Sequence, residues 1–269
     1  MTDRQIITVV DGHVHLRDRF NPSDVLDAAW TNLGRAAARL GEPSFRAMLL
    51  LAEADGEHAF ERLAGSGTPV GRWRTEPTAE PAVLRVVRDD AAALTLVQGR
   101  QWACDERLEV LTLGSGAQAA EGLADGMPIR ECIRAGLELG AVVTLPWGVG
   151  KWTGPRRGLM LELLEEFGGS IAVGDSMARP RGFSDRVLAR AAADGVPILP
   201  GTDPLPIGRH RNRVGRFGWW HGSPAASGAV EPWLRSAVRS IHDRGGPIGA
   251  RDHAPVVAID QVRLRLASR

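Results

Sequence analysis

The sequence predicts an α/β protein in which short strands and helices alternate, with one β-hairpin interrupting the alternation. Two observations carry this. Several apolar, partly β-branched runs are each followed by a loop and a helical pattern, and one stretch instead holds two apolar runs joined by an acidic turn. The first strand is the run Ile6-Ile7-Thr8-Val9-Val10, after which Asn21-Pro22-Ser23-Asp24 opens a helix. Further strands are expected over Phe45 to Glu53, Glu109 to Leu113, Ala141 to Pro146, Ser170 to Asp175 and Val196 to Asp203. Helices are expected over Ser23 to Leu40, Ile129 to Leu139, Arg157 to Phe167 and Asp185 to Ala193. Alternation at this spacing is the pattern of parallel β/α units.

The hairpin is read from Val83 to Arg88, then Asp89-Asp90, then Leu94 to Val97. It sets off a β-rich insertion at about 70–107 within a single domain spanning 1–269. The alternation in the second half of Pro255 to Leu266 predicts an extra strand, packing on an edge or closing the bottom. Between Gly201 and Gly228, Gly and Pro cluster in a connection too long for a simple turn. Loops of that length in compact domains are often functional.

Composition narrows the function classes without choosing one. With 269 residues and 43% hydrophobic content the chain can bury a sizeable core. A formal net charge of +1 gives no general pull toward nucleic acid or an acidic membrane, so no clear nucleic-acid binding is expected. No apolar run approaches the roughly 18 residues of a membrane span, and no basic, apolar leader is seen. A soluble cytoplasmic protein acting on a small-molecule substrate is expected, with homo-oligomerisation left open. Cys104 and Cys132 are far apart and form no C-x-x-C, which suggests neither a disulfide framework nor a thiolate zinc site. Lys151 is the only lysine, a clue because arginine cannot replace a lysine that must lose its proton.

The strongest chemical signal is Asp11-Gly12-His13-Val14-His15 at the end of the first strand. Side chains alternate across a strand, so Asp11, His13 and His15 are expected on one side together. Two imidazoles then converge, and neutral imidazole is a common ligand for divalent ions. The second signal is Pro200-Gly201-Thr202-Asp203-Pro204, which holds a carboxylate at the end of a late strand, placed to bind a metal or accept a proton. Gly150-Lys151 is followed by Trp152 rather than Ser or Thr, so a phosphate-binding P-loop is rejected.

On these two motifs the chain resembles the amidohydrolase superfamily of metal-dependent hydrolases and, more loosely, the PHP phosphoesterases. The resemblance implies a distorted (β/α) TIM-type barrel, with His13 and His15 as metal ligands and Asp203 as ligand or general base. The middle strands lack the further histidines these families usually supply and offer Asp175 and Lys151 instead, while Glu53 ends the second strand. A barrel gathers its strand ends at one mouth, so Glu53 and Asp175 are expected to join the metal set and Lys151 to act in catalysis. The expected cofactor is a divalent metal: zinc, manganese or magnesium. Arg209, Arg211 and Arg213, with Trp147, are expected to bind an anionic substrate. The function implied is a metal-dependent hydrolase using a metal-activated water. The alternatives are a PHP-like phosphoesterase, or a metal- or anion-binding barrel that has lost catalysis.

Overall fold

The structure is a computed structural model that describes residues 6–89, 91–116, 122–223 and 229–267. The chain runs β1 (Ile7–Val14), α1 (Pro22–Arg39), β2 (Phe45–Leu51), α2 (Ala59–Gly65), β3 (Trp73–Pro77), β4 (Val83–Arg88), β5 (Ala93–Val97), β6 (Gly99–Ala103) and β7 (Glu109–Leu113). It continues through α3 (Ile129–Glu138), β8 (Val142–Pro146), α4 (Pro155–Phe167), β9 (Ala172–Ser176), α5 (Arg186–Ala193) and β10 (Ile198–Gly201). A 3-10 turn (Gly208–Asn212), β11 (Phe217–His221), α6 (Val230–Arg239), α7 (Ile241–Arg244), β12 (Gly245–Gly249) and α8 (Ala254–Ala267) complete it.

Helix α1 illustrates how the sequence builds these units. The Asn21 side chain accepts from the Ser23 N–H at 2.9 Å, Pro22 opens the first turn and Asp24 faces the positive helix end. Val25, Leu26, Ala29, Leu33 and Ala37 recur at helical spacing and are all fully buried against β1 and β2. Truncating Leu26 or Leu33 to alanine costs about 2–5 kcal/mol by the usual transfer and cavity penalties.

Among the described residues the strands form two sheets and no closed barrel. One has seven strands in the order β12-β11-β1-β2-β5-β4-β3, the other five in the order β10-β9-β8-β7-β6. Parallel pairing is confined to β1–β2, β2–β5, β8–β9 and β9–β10, and the remaining pairs are antiparallel. The expected TIM-type barrel is therefore corrected to a mixed α/β fold. Hairpins replace the crossover helices between β3 and β7, and a chain that turns straight back pairs antiparallel. The hairpin between β4 and β5 is present, although Asp90 of its acidic turn lies outside the described residues.

The sheets face one another. Val10, Met48 and Leu50 point into a core shared with Leu111, Leu113 and Leu199 of the other sheet, while Val9, Leu49 and Leu51 point out toward α1. Helices α3, α4 and α5 cover the far face of the five-stranded sheet. Two corners tie the sheets. At one, the Glu53 N–H donates to Gly99 O at 3.1 Å and the Gln101 N–H to Glu53 O at 2.9 Å. At the other, the Asp203 N–H donates to His13 O at 2.8 Å.

Two further expectations are corrected. Pro255 to Leu266 lies in helix α8 and not in a strand, because its buried residues, Val257 and Asp260, stand three apart. Pro255 also suits a first helical turn. The connection after Gly201 is not wholly irregular, since it contains the 3-10 turn and β11, whose pairing with β1 the polar sequence around it concealed. Its last part, 224–228, lies outside the described residues. Among the described residues no helix is long and apolar enough to cross a membrane. Cys104 and Cys132 are free thiols that meet in the core beneath α3, where a hydrogen bond to Cys132 and burial both push the Cys104 thiol up.

Candidate metal centre

The two strongest sequence motifs meet at the β1–β10 corner. His13 Nε2 and His15 Nε2 are 3.1 Å apart, and each lies 3.8 Å from Asp203 Oδ1. Among the described residues, His13, His15 and Asp203 are the group of potential ligands drawn within reach of one cation. Both histidines are buried, while the Asp203 side chain keeps 18% of its surface open to solvent. A tetrahedral ion with ligand bonds of about 2.0–2.1 Å separates its ligand atoms by about 3.4 Å. The observed separations bracket that spacing, so the donor set fits a divalent ion. Two imidazole nitrogens this close, with a carboxylate oxygen beside them, need a proton or a cation between them.

Local backbone features create the convergence. The β1–β2 register breaks between Asp11 and Val14, which takes Asp11 out of the expected alternation with the histidines. Its carboxylate instead ties the corner together, accepting from Thr202 Oγ1 at 2.5 Å, Thr202 N–H at 2.9 Å and Gly215 N–H at 2.8 Å. Burial raises its pKa to about 6 against those hydrogen bonds. Asp203 follows with φ of 46°, a left-handed conformation that aspartate tolerates better than most residues. A Cβ on Gly201 would come within 2.4 Å of the His13 nitrogen, so only glycine permits this approach.

The surrounding groups orient the ligands. His15 Nδ1 donates to Glu57 Oε2 at 3.1 Å, which leaves Nε2 without a proton and aimed at the cluster. Glu57 also accepts from Arg17 at 2.5 Å and from the Ala54 N–H at 3.0 Å. Burial pushes the Glu57 carboxyl up, but the His15 hydrogen bond and the His15 and Arg17 charges outweigh it and hold it at about 2. Burial likewise opposes ionisation of Asp203, and His13, His15 and Arg17 together bring it below the usual carboxylate range. Burial holds His15 below the usual histidine value. Ser176 Oγ donates to Asp203 Oδ2 at 3.2 Å, and Gln101 Oε1 lies 3.2 Å from His13 Nε2 as a fourth donor atom.

No family model matches this chain, and no curated protein matches it in sequence. Solved structures do match. PsfC from Pseudomonas syringae superimposes with a TM-score of 0.58 at 16% identity, covering 97% of this chain and 99% of that one. The lesion-specific endonuclease PfuEndoQ from Pyrococcus furiosus gives a TM-score of 0.55 at 12% identity over 90% of this chain. An endonuclease Q complex with a 27-mer duplex bearing an abasic lesion at the active site gives 0.52 at 14% identity, again over 90% of this chain. The chain shares its fold with these proteins. It spans 57% and 58% of the two endonuclease chains.

The other residues singled out from sequence have partners of their own. The Glu53 carboxyl accepts from the Phe60 N–H at 2.8 Å at the start of α2, and burial raises its pKa to about 7. Asp175 is gripped by Arg179 through bonds of 2.7 and 2.8 Å. Neither carboxylate belongs to the close group around His13. Lys151, beyond the C-terminal end of β8, is ion-paired with Glu109. Trp147 donates to Asp185 at 3.1 Å. Arg209 and Arg213 pair with Asp260 of α8, Arg213 also reaches Asp252 at 2.7 Å, and Arg211 lies 3.4 Å from Asp24. Sequence reading missed Glu57, Arg17 and Gln101. Only the spacing of Glu57, four residues beyond a strand-end acid, hinted at the first.

Proposed function

We propose that this protein is a divalent-metal-dependent hydrolase of phosphate esters, acting on a small anionic substrate. The observation that carries the reading is the convergence of His13, His15 and Asp203. Three protein ligands of this type are the set that catalytic metal sites use while keeping one position open. The shared fold with endonuclease Q, a lesion-specific endonuclease, favours phosphoester over amide chemistry as an analogy of fold.

His13 and His15 would hold zinc, manganese or magnesium with Asp203. A bound ion of this kind supplies Lewis acidity toward water and a phosphoryl oxygen. Asp203 is ionised and divides its oxygens, with Oδ2 taken by Ser176 and Oδ1 facing the histidines, so it can hold charge or receive a proton. Glu57 keeps the proton of His15 on Nδ1. Arg17, held by Glu57, adds positive charge beside a developing anion.

Chelator-treated protein reloaded with zinc, manganese or magnesium is assayed on p-nitrophenyl phosphate, bis-p-nitrophenyl phosphate and p-nitrophenyl acetate. Phosphoester cleavage that needs the metal is expected, and His13→Ala loses about a hundredfold or more of it while its circular dichroism is unchanged. Undiminished activity in chelator, or an unfolding temperature that no ion moves, overturns the reading.

A further inference from the structure

We infer that the flank between α1 and the β10–β11 connection is a second anion site, built to take a ligand carrying several phosphate groups. This inference does not rest on the hydrolase reading. A cavity of about 490 Å³ there is lined by Arg35, Arg39, Arg181 and Arg216, with Asn32 and Asn212, and no carboxylate contributes to its wall. All four arginines are exposed.

What marks this cavity is four arginines gathered on one wall with no acid among the described residues that line it. The chain is close to neutral, and elsewhere its arginines are commonly matched to acids, among them Arg17, Arg62, Arg85, Arg130, Arg179 and Arg213. Among the described residues Arg35, Arg39 and Arg216 have no acidic partner. The guanidinium of Arg181 meets only a carbonyl, that of Arg251, at 2.5 Å. Like charges gathered on one wall repel, so an anion placed between them is favoured.

Neutral hydrogen bonds hold the cluster together. Asn32 donates from α1 to Asn212 O at 3.1 Å and Val214 O at 2.8 Å, fixing Arg35 and Arg39 beside Arg216. The Arg181 N–H donates to Asp252 O at 2.9 Å, which brings the segment after β9 to the same wall. Four guanidinium forks from three chain segments match the tetrahedral oxygens of several linked phosphates better than a single carboxylate. The same chemistry is offered by a small polyphosphate and by a phosphodiester backbone.

Binding is measured by calorimetry on metal-free, chelator-treated protein, so that the His13 cluster holds no cation to attract an anion. The probes are inorganic phosphate, tripolyphosphate and a single-stranded oligonucleotide. Tripolyphosphate or oligonucleotide is expected to bind more tightly than inorganic phosphate, with affinity falling as salt rises. Arg35→Glu with Arg39→Glu weakens that binding about tenfold or more, and Arg216→Gln, in a separate chain segment, weakens it in the same direction. Tighter binding of tripolyphosphate assigns a small polyphosphate, and of the oligonucleotide a phosphodiester backbone. Failure of every probe to bind, or binding that both variants leave intact, overturns the inference.

Discussion

The arrangement of His15 with Glu57 shows how one carboxylate outside the ligand set governs the ligand. By accepting from Nδ1 at 3.1 Å, Glu57 chooses the tautomer that points a lone pair at His13 and Asp203. Glu57→Ala is therefore expected to lower zinc affinity by about 10–100-fold, measured by competition with a chromogenic chelator, while the fold survives. Equal affinity in the variant would show that His15 is oriented by packing alone. The two histidines were legible in the sequence because they share one strand end. Glu57 was not, since nothing in a linear reading says which of several acids near the end of β2 turns toward His15.

At the scale of elements, the arginine run after β10 holds the molecule together. His210 Nδ1 accepts from the Leu205 N–H at 3.1 Å and its Nε2 donates to Asp260 Oδ2 at 3.0 Å, while Arg209 and Arg213 pair with the same carboxylate. This clasp fixes α8 to the loop that carries Asp203. Burial and the Arg213 charge lower the His210 pKa from its ordinary 6.5, so the folded state prefers the neutral ring. Its contribution to stability is complete above 6.5 and is lost as pH falls below that value. Asp260 is buried too, yet Arg209 and His210 bring it below the ordinary carboxylate range, so its contribution is also lost toward acid. The burial that raises Glu53 to about 7 and Asp11 to about 6 acts in the opposite sense over the same range, so the His210 contribution is read as a difference. Between about pH 7 and about pH 5 the urea midpoint of the wild type is expected to lose more, or gain less, than that of His210→Gln. Identical slopes in the two proteins would remove His210 as a cause. The guanidinium cluster was visible in the sequence, but the acid shared by Arg209 and Arg213, Asp260, comes from a helix about fifty residues later in the chain, and Arg211 meets Asp24 of α1.

For the whole molecule, the decisive feature is the contact between two sheets at the β1–β10 corner. Gly201→Ala places a methyl group against His13 backbone at 2.4 Å, a contact neither strand can relieve without moving the site. It is expected to destabilise the fold by about 1–3 kcal/mol and to weaken metal binding with it, read from urea unfolding and zinc titration of the same samples. Wild-type values for both would mean that the corner is looser than its distances indicate. By itself the sequence determined the α/β class, the hairpin and the two motifs that supply His13, His15 and Asp203, because strand periodicity and turn chemistry are local properties. Only the tertiary structure decided that the strands split into two sheets instead of closing a ring, that Asp175 meets Arg179, and that Glu53 accepts from the first turn of α2. Sheet pairing and the choice of partner for a buried charge depend on groups far apart in the chain, whose meeting is fixed by packing.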